Sequence, residues 1–568
     1  MLGKAGKLRR IVSIIFIVLL FSGLSVFASN IQSVKAQYEG TIVINPDGSI
    51  SSPVPANISM SDYVTYTFTG NNSLPIIVNR SNIIINGRGY TLQAPGSDGF
   101  TLSSVKSVTI ENTIVTKCHD GIDLDNSSNN VLTDNTIKGS SEWGCFLYSS
   151  SDNALSGNVM TNNTYNFGVY GFALSDFVNY VDTSNLVDGK PVCYLMNTGD
   201  IAINPQTYPK GVGYLALVNC KNVTVQDLAL RKNFPGLLLA NTNDSRITDN
   251  NITASSNYGI YVSNSSGNVL SGNNITANDA YGIFAYSSNN NTFSDNIATS
   301  DYGGGIALDN SSRNIVSENY LASNTGGGVD LFSSSGNRIF HNDFLNNVPQ
   351  AQASSDSSNA WDDGYPSGGN YWSNYQTRYP SAIANDSSAI WNTPYNISSG
   401  NIDRYPLMGS FDTFSMGTWN SVAYSVDTVS NSTLSNFSFN ASAKTLTFNA
   451  TGQSGTTGFC RVAIPKDFMW CDNQGQWLVI ITEGSGSQFH YLLLTPNIMI
   501  DTNYTYLYFN YTHSTHSVLI NSTHAVPEFQ PFMLLPMFMI ITLLGAMAFK
   551  KKESLFCSTT CQKTTFSE

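Results

Sequence analysis

Glycine recurs at a fixed interval along much of this chain, and that regularity limits the folds open to it. Gly213, Gly236, Gly259, Gly282, Gly305 and Gly328 follow one another at 23 residues, and Gly121, Gly144 and Gly168 at 23 and 24. A repeat of this length is one supersecondary unit that buries its apolar face only by stacking on copies of itself.

Inside each unit the first and third residues after the glycine are apolar: Ile122 and Leu124, Ile260 and Val262, Ile283 and Ala285, Ile306 and Leu308, Val329 and Leu331. Such alternation is a short strand with one face buried. Further apolar columns stand eleven residues on (Leu132, Leu155, Ile247, Leu270, Phe293, Val316, Ile339) and sixteen on (Ile137, Met160, Ile252, Ile275, Leu321, Phe344). Each coil therefore supplies three short strands that point inward. Fourteen after the glycine stand Asn135, Asn158, Asp227, Asn250, Asn273, Asn296, Asn319 and Asn342. Stacked about 4.8 Å apart, amides in such a column bond to one another, and asparagine tolerates the left-handed backbone of a tight corner. With no helical period, these columns predict an all-β chain built on a right-handed parallel β-helix, the hand following from the usual connection of parallel strands.

The same pattern sets boundaries. Residues 37–75 read as an N-terminal cap, and the coils run from 76 to 348, where Asn82-Ile83-Ile84-Ile85-Asn86-Gly87 and Val108-Thr109-Ile110 fit a looser register. Residues 172–212 break the period and read as a hairpin excursion. In the coil of 213–235, Thr224 occupies a predicted core column between Val223 and Val225. Residues 349–410 flank the helix on its C-terminal side. Residues 411–525, with alternating runs such as Thr445-Leu446-Thr447-Phe448, read as a small β-sandwich acting as a spacer.

Both ends of the sequence read as address labels. Lys4, Lys7, Arg9 and Arg10 precede the apolar run from Ile11, with small residues at Ala28, Ser29 and Ala36, which makes 1–36 a secretory signal peptide. Phe532 to Phe549 is an uncharged stretch of membrane-spanning length followed by Lys550, Lys551 and Lys552. The run Val526-Pro527-Glu528-Phe529-Gln530-Pro531 before it resembles the PEF-type C-terminal sorting signal of archaeal surface proteins. That resemblance implies recognition of 526–552 by an archaeosortase, removal of the span and attachment to lipid. The short tail 553–568, with Cys557 and Cys561, departs from the pattern. Either as a membrane anchor or as a sorting signal, the segment places the protein on the outer cell surface, and about twenty Asn-x-Ser/Thr sequons, including Asn57, Asn126, Asn264, Asn310, Asn440 and Asn521, fit a glycoprotein.

Charge narrows the partners. Only 12% of the 568 residues are charged, against about 25% in ordinary soluble domains. Residues 37–549 hold 18 of the 27 Lys and Arg but 37 of the 39 Asp and Glu. Such a surface repels phosphate backbones, so nucleic acid is not an expected partner. Among the exported cysteines, Cys460 and Cys471 are close enough in sequence to be the expected disulfide.

The coils, the excursion and the run Trp361-Asp362-Asp363-Gly364-Tyr365, Gly368-Gly369-Asn370-Tyr371-Trp372-Ser373 and Asp403-Arg404-Tyr405-Pro406-Leu407-Met408 resemble the NosD-like β-helix family, labelled periplasmic copper-binding. The resemblance covers roughly 60–408. It implies a copper-binding accessory role as one reading, although many archaeal surface proteins share the architecture without copper. The segment Thr456 to Val462 resembles a module found before archaeal anchors.

The second and fourth residues after each glycine lie on the outer face of the first strand and are expected to meet solvent. They include Phe146 and Tyr148, Tyr170 and Phe172, Tyr261, Phe284 and Tyr286, and Phe332, with Trp143 beside them. Flat rings beside carboxylates suit a sugar chain, because rings cover its C–H patches and carboxylates accept its hydroxyls. The competing expectation is that the rings pack under the excursion or the loops. A polysaccharide or envelope glycan is thus the expected partner of a non-catalytic protein. The enzyme alternative, a polysaccharide hydrolase, lyase or epimerase, would use Asp123 and Asp125 on one strand or Asp309 and Asp330 on neighbouring coils. Asp295, Glu318 and His341 form a column thirteen after the glycine that a cation such as calcium would relieve of repulsion; no other cofactor is expected. Copper itself wants grouped Met, Cys or His, and the coils offer only His119 and His341.

Overall fold

The computed structural model describes residues 40–483 and 490–526. The fold is the expected parallel β-helix, followed in the chain by a β-sandwich. Two compact units divide it. The first holds the described residues up to 292 together with 296–312 and 324–327; the second holds 293–295, 313–323 and the described residues from 328 onward.

Coil stacking in the first unit follows the columns. Ile122–Asp125 pairs in parallel with Phe100–Ser103 on one side and Trp143–Tyr148 on the other, Val131–Thr133 with Val108–Glu111 and Ala154–Ser156, and Thr136–Lys138 with Ile114–Thr116 and Val159–Thr161. Ile122, Leu124, Leu132 and Ile137 are all buried, as alternation requires. The glycine column exists because the corner is too tight for a side chain: a Cβ at Gly121 would lie 2.3 Å from the Gly144 carbonyl oxygen, and one at Gly259 would lie 2.6 Å from that of Gly282.

The asparagine ladder is present. Nδ2 of Asn135 donates to Asn158 Oδ1 at 3.0 Å, Asn250 to Asn273 at 2.9 Å, Asn273 to Asn296 at 2.9 Å and, in the second unit, Asn319 to Asn342 at 2.8 Å. Asp227 is not a rung. It occupies the left-handed corner at φ 57°, and Leu228 follows it, its N–H donating to Asn250 Oδ1 at 3.0 Å. That coil is one residue short, which also explains why Val223 and Val225 are buried while Thr224 is not.

The coils extend beyond the expected limits. Ile42–Ile44 pairs in parallel with Ile76–Val78, and Thr65–Phe68 with Ile83–Asn86, so the first coil begins inside the predicted cap. At the other end Ala351–Ala353 stacks on Val329–Phe332 and Tyr371–Trp372 on Asp343–Leu345.

The excursion does more than interrupt one coil. Leu186–Val187, which stacks on Val159–Thr161, turns back antiparallel onto Lys190–Met196, and the latter pairs in parallel with Tyr214–Val218. The sheet formed by the later glycine strands therefore continues the third face of the earlier coils, not their first. Lys232 and Phe234 instead meet the first-face strand, where Phe234 accepts the Val169 N–H at 3.0 Å and donates to Phe167 O at 3.0 Å.

In the second unit, the motif around Trp361 and Trp372 ties the last coils to the flank. Trp361 Nε1 donates to Asn401 Oδ1 at 3.2 Å, and Asp403 accepts Trp372 Nε1 and the Asn370 N–H, both at 2.8 Å. Arg404 grips Asp362 through Nε at 2.9 Å and Nη2 at 2.7 Å. The sandwich has two five-stranded antiparallel sheets, with Val426, Leu446, Phe448, Val462, Val479, Leu507 and Val518 in its core. Cys460 faces that core and Cys471 lies partly exposed; both are free thiols, so the expected disulfide is not formed. No helix among the described residues is long and apolar enough to cross a membrane. The expected signal peptide and the Phe532 to Phe549 span lie outside the described residues.

Candidate functional site

Aromatic rings on the glycine-following strands of the first unit form a continuous train. Trp143 stacks on Phe146 at 4.4 Å between centroids, Tyr148 on Tyr170 at 6.1 Å, Tyr170 lies 5.7 Å from Tyr261, and Tyr258 stacks on Phe284 at 4.6 Å. Parallel register places Phe284 directly beside Tyr261 on the next coil.

Burial divides the train. Phe146 and Tyr261 are only 7% and 1% exposed, contrary to the expectation that this face meets water. Phe234 lies edge-on to Phe146 at 5.1 Å, and Phe177 of the excursion helix Leu174–Phe177 lies 6.2 Å from Tyr261. For these rings, packing under neighbouring segments is what occurs. Trp143, Tyr148, Tyr170, Phe284 and Tyr286 are half-buried, and Phe172 is exposed. Phe332, in the second unit, is also exposed.

Carboxylates line the same strands. Asp123 sits in register between Thr101 and Phe146, Asp125 between Ser103 and Tyr148, and Asp309 beside Tyr286. Burial, then the charges of Asp120 and Asp98, push the Asp123 carboxyl well above its ordinary pKa. Burial also raises Asp125 and Asp309. Asp330 is fully buried, in register with Gln352, so it does not belong to a surface site.

Beside Trp143, at the corner before the glycine strand, lies a group outside the repeat columns. His119 Nδ1 is 3.3 Å from Asp98 Oδ1 and 3.3 Å from Asp120 Oδ2, and its Nε2 is 3.0 Å from Glu142 Oε2. The Trp143 N–H donates to Asp120 Oδ1 at 3.0 Å. The signal was available as acids 21 residues before and 23 residues after one histidine, which coil stacking brings together.

The residues of the expected cation column all stand at coil corners. Asp295, Glu318 and His341 occupy left-handed corners at φ 55°, 61° and 59°. His341 stacks on Phe411 at 3.9 Å and meets Ser367 Oγ at 3.2 Å, and burial pushes its pKa down to about 3. Glu318 is raised to about 7 by burial and then by Asp295. The imidazole is thus packed against Phe411 with Nε2 at Ser367 Oγ.

Among the described residues, the thiols and imidazoles do not fit a soft copper site. Burial pushes the Cys118 thiol up to about 11, and Cys145, Cys193, Cys220 and Cys460 are buried as well. His513 is engaged by Ser432 Oγ at 2.8 Å and Thr456 Oγ1 at 2.6 Å, and His516 Nε2 contacts Thr512 O at 2.6 Å. Soft sites need such ligands deprotonated and convergent.

Fold and face define a parallel β-helix with an aromatic and acidic side. The family described as periplasmic copper-binding protein (NosD) matches residues 38–176 and 178–377. The chain belongs to this NosD family, whose description is that of proteins outside the cytoplasm. No curated protein matches. Among solved structures, the Dettilon tailspike protein is 11% identical over 79% of this chain and 87% of that one, with a TM-score of 0.23. The A-module of mannuronan C-5 epimerase AlgE4 from Azotobacter vinelandii is 12% identical over 53% and 89%, with a TM-score of 0.22. The GH136 lacto-N-biosidase from Eubacterium ramulus is 12% identical over 52% and 60%, with a TM-score of 0.23.

Proposed function

We propose that this protein is a surface-held β-helix that binds a polysaccharide chain along the train of rings, with the segment after Val526 as its membrane or lipid attachment. The observation that carries this reading is the run of half-exposed Trp143, Tyr148 and Tyr170 on two neighbouring coils, continued through Tyr261 to Phe284 and Tyr286 on the adjoining sheet and flanked by Asp125 and Asp309. Rings at coil spacing offer apolar faces to successive sugar units, while the adjacent carboxylates accept hydroxyl protons. The buried Phe146 and Tyr261 act beneath them as packing.

A glycan panel probed with the purified protein tests this. Binding to at least one polysaccharide that weakens in Tyr148→Ala and Tyr286→Ala is the expected result. Indifference to every glycan would remove the reading.

One observation favours a catalytic second reading. Burial and the charges of Asp120 and Asp98 raise the pKa of Asp123, the direction that a general acid requires. Release of sugar from a bound polysaccharide that Asp123→Asn abolishes would support it.

A further inference from the structure

We propose that Asp98, His119 and Asp120 hold a divalent cation of the zinc or manganese class, with Glu142 orienting the imidazole. One ligand atom from each of the three residues lies within 4.8 Å of the other two. The two 3.3 Å separations from His119 Nδ1 are long for a charge-assisted hydrogen bond, which runs about 2.7–2.9 Å. A single N–H cannot point at both carboxylates. Ligands about 2.0–2.2 Å from a common tetrahedral centre stand roughly 3.3–3.6 Å from one another, and 3.3 Å fits that edge.

The other ring nitrogen supplies a further argument. Glu142 at 3.0 Å from Nε2 holds the proton there, which leaves the Nδ1 lone pair directed at the two aspartates. A carboxylate fixing the far side of a ligating imidazole is the usual support of such a site. Asp120 is itself fixed, since its side chain is 8% exposed and accepts the Trp143 N–H at 3.0 Å. Asp98, His119 and Glu142 remain open enough for an ion to enter, with side chains 31%, 46% and 36% exposed.

Asp123, half-buried on the next strand, lies in the field of the same acids, with Asp120 and Asp98 as its principal charged neighbours. One imidazole cannot balance Asp98, Asp120 and Glu142 together, whereas a divalent ion beside it offsets two charges. One imidazole with carboxylates selects borderline ions over cuprous copper, which prefers sulfur.

The test is isothermal titration of the chelator-stripped protein with zinc chloride and, separately, manganese chloride, with tryptophan emission followed in parallel. One saturable site for either ion is expected, with a change in emission because Trp143 is tied to Asp120. His119→Gln and Asp98→Asn should each weaken binding at least tenfold, and Glu142→Gln roughly 10- to 100-fold. Unchanged thermal unfolding of ion-free Asp98→Asn excludes a folding defect. Absence of saturable binding, or binding that persists in His119→Gln, would overturn the proposal. No sugar enters the experiment, so its outcome is separate from that of glycan binding.

Discussion

Asp301 takes an asparagine's place beside Asn278: its Oδ1 accepts the Asn278 side-chain and backbone N–H at 2.8 and 2.9 Å, while its buried Oδ2 has no partner. Asn163 and Asn324, in the equivalent corner of other coils, direct Nδ2 at the carbonyl oxygens of Ile137 and Ala298 at 3.2 and 3.0 Å. An ionised carboxylate has no proton to offer there. Burial accordingly raises the Asp301 pKa from 3.8 to about 8.

The sign of the pH effect follows. Between 3.8 and about 8 the folded chain holds a proton that the unfolded chain has released. Stability from this group is full below 3.8 and is lost as pH rises towards 8. Asp301→Asn should raise stability at pH 8 by about 1–3 kcal/mol, the scale of one unsatisfied buried group, and change little at pH 4. Thermal unfolding across that range checks it, and an unaltered pH slope in the variant would refute the assignment.

Breaking the ladder should be costly and local. Asn273 accepts from Asn250 Nδ2 at 2.9 Å and donates to Ile247 O at 2.8 Å and Asn296 Oδ1 at 2.9 Å. Asn273→Ala leaves buried partners unsatisfied and should destabilise by about 2–4 kcal/mol. Asn274→Ala, one residue on and exposed, should fall within about 0.5 kcal/mol of the parent. Denaturant midpoints of the pair give the comparison.

Arg461 is fully buried on a sandwich strand and donates to Pro366 O at 2.8 Å, Ser388 O at 2.9 Å and Ser367 O at 2.9 Å. A guanidinium fork can meet three carbonyls in one plane, and an ammonium cannot. Arg461→Lys should destabilise by roughly 2 kcal/mol and Arg461→Ala by more. Faster proteolysis within 366–388 would accompany both.

For the ring train, Tyr286→Ala should weaken glycan binding about fivefold, equivalent to roughly 1 kcal/mol for one ring. Tyr261→Ala should instead lower stability by about 3–5 kcal/mol, because that ring is enclosed. Affinity and unfolding measured on both variants separate contact from packing.

Period alone made much of this molecule legible. Gly121 and Gly259 mark corners that no Cβ can enter, and Asn273 and its equivalents mark rungs, so both columns show directly in sequence. A second ladder, with Asn130 donating to Asn153 at 3.1 Å and Asn268 to Asn291 at 3.0 Å, was hidden because its rungs lie in turns already crowded with Asn and Ser. Outward alternation placed Tyr261 and Asp330 at the surface, but alternation describes one strand and is silent about what other segments lay over it. Phe177 of the excursion supplies such a cover over Tyr261, and Phe234 of a following coil one over Phe146. The His119 group escaped for a related reason: its acids belong to three different coils, and none forms a motif within one.

The antiparallel return of Leu186–Val187 onto Lys190–Met196 starts the later strands on a different face, so each stack keeps its own count. A duplication or deletion of one whole coil on either side would shift neither the glycine corners nor the amide rungs of the other. Length is thus adjustable in two separate increments, and related chains can differ in reach while preserving the joint at which the aromatic rings converge.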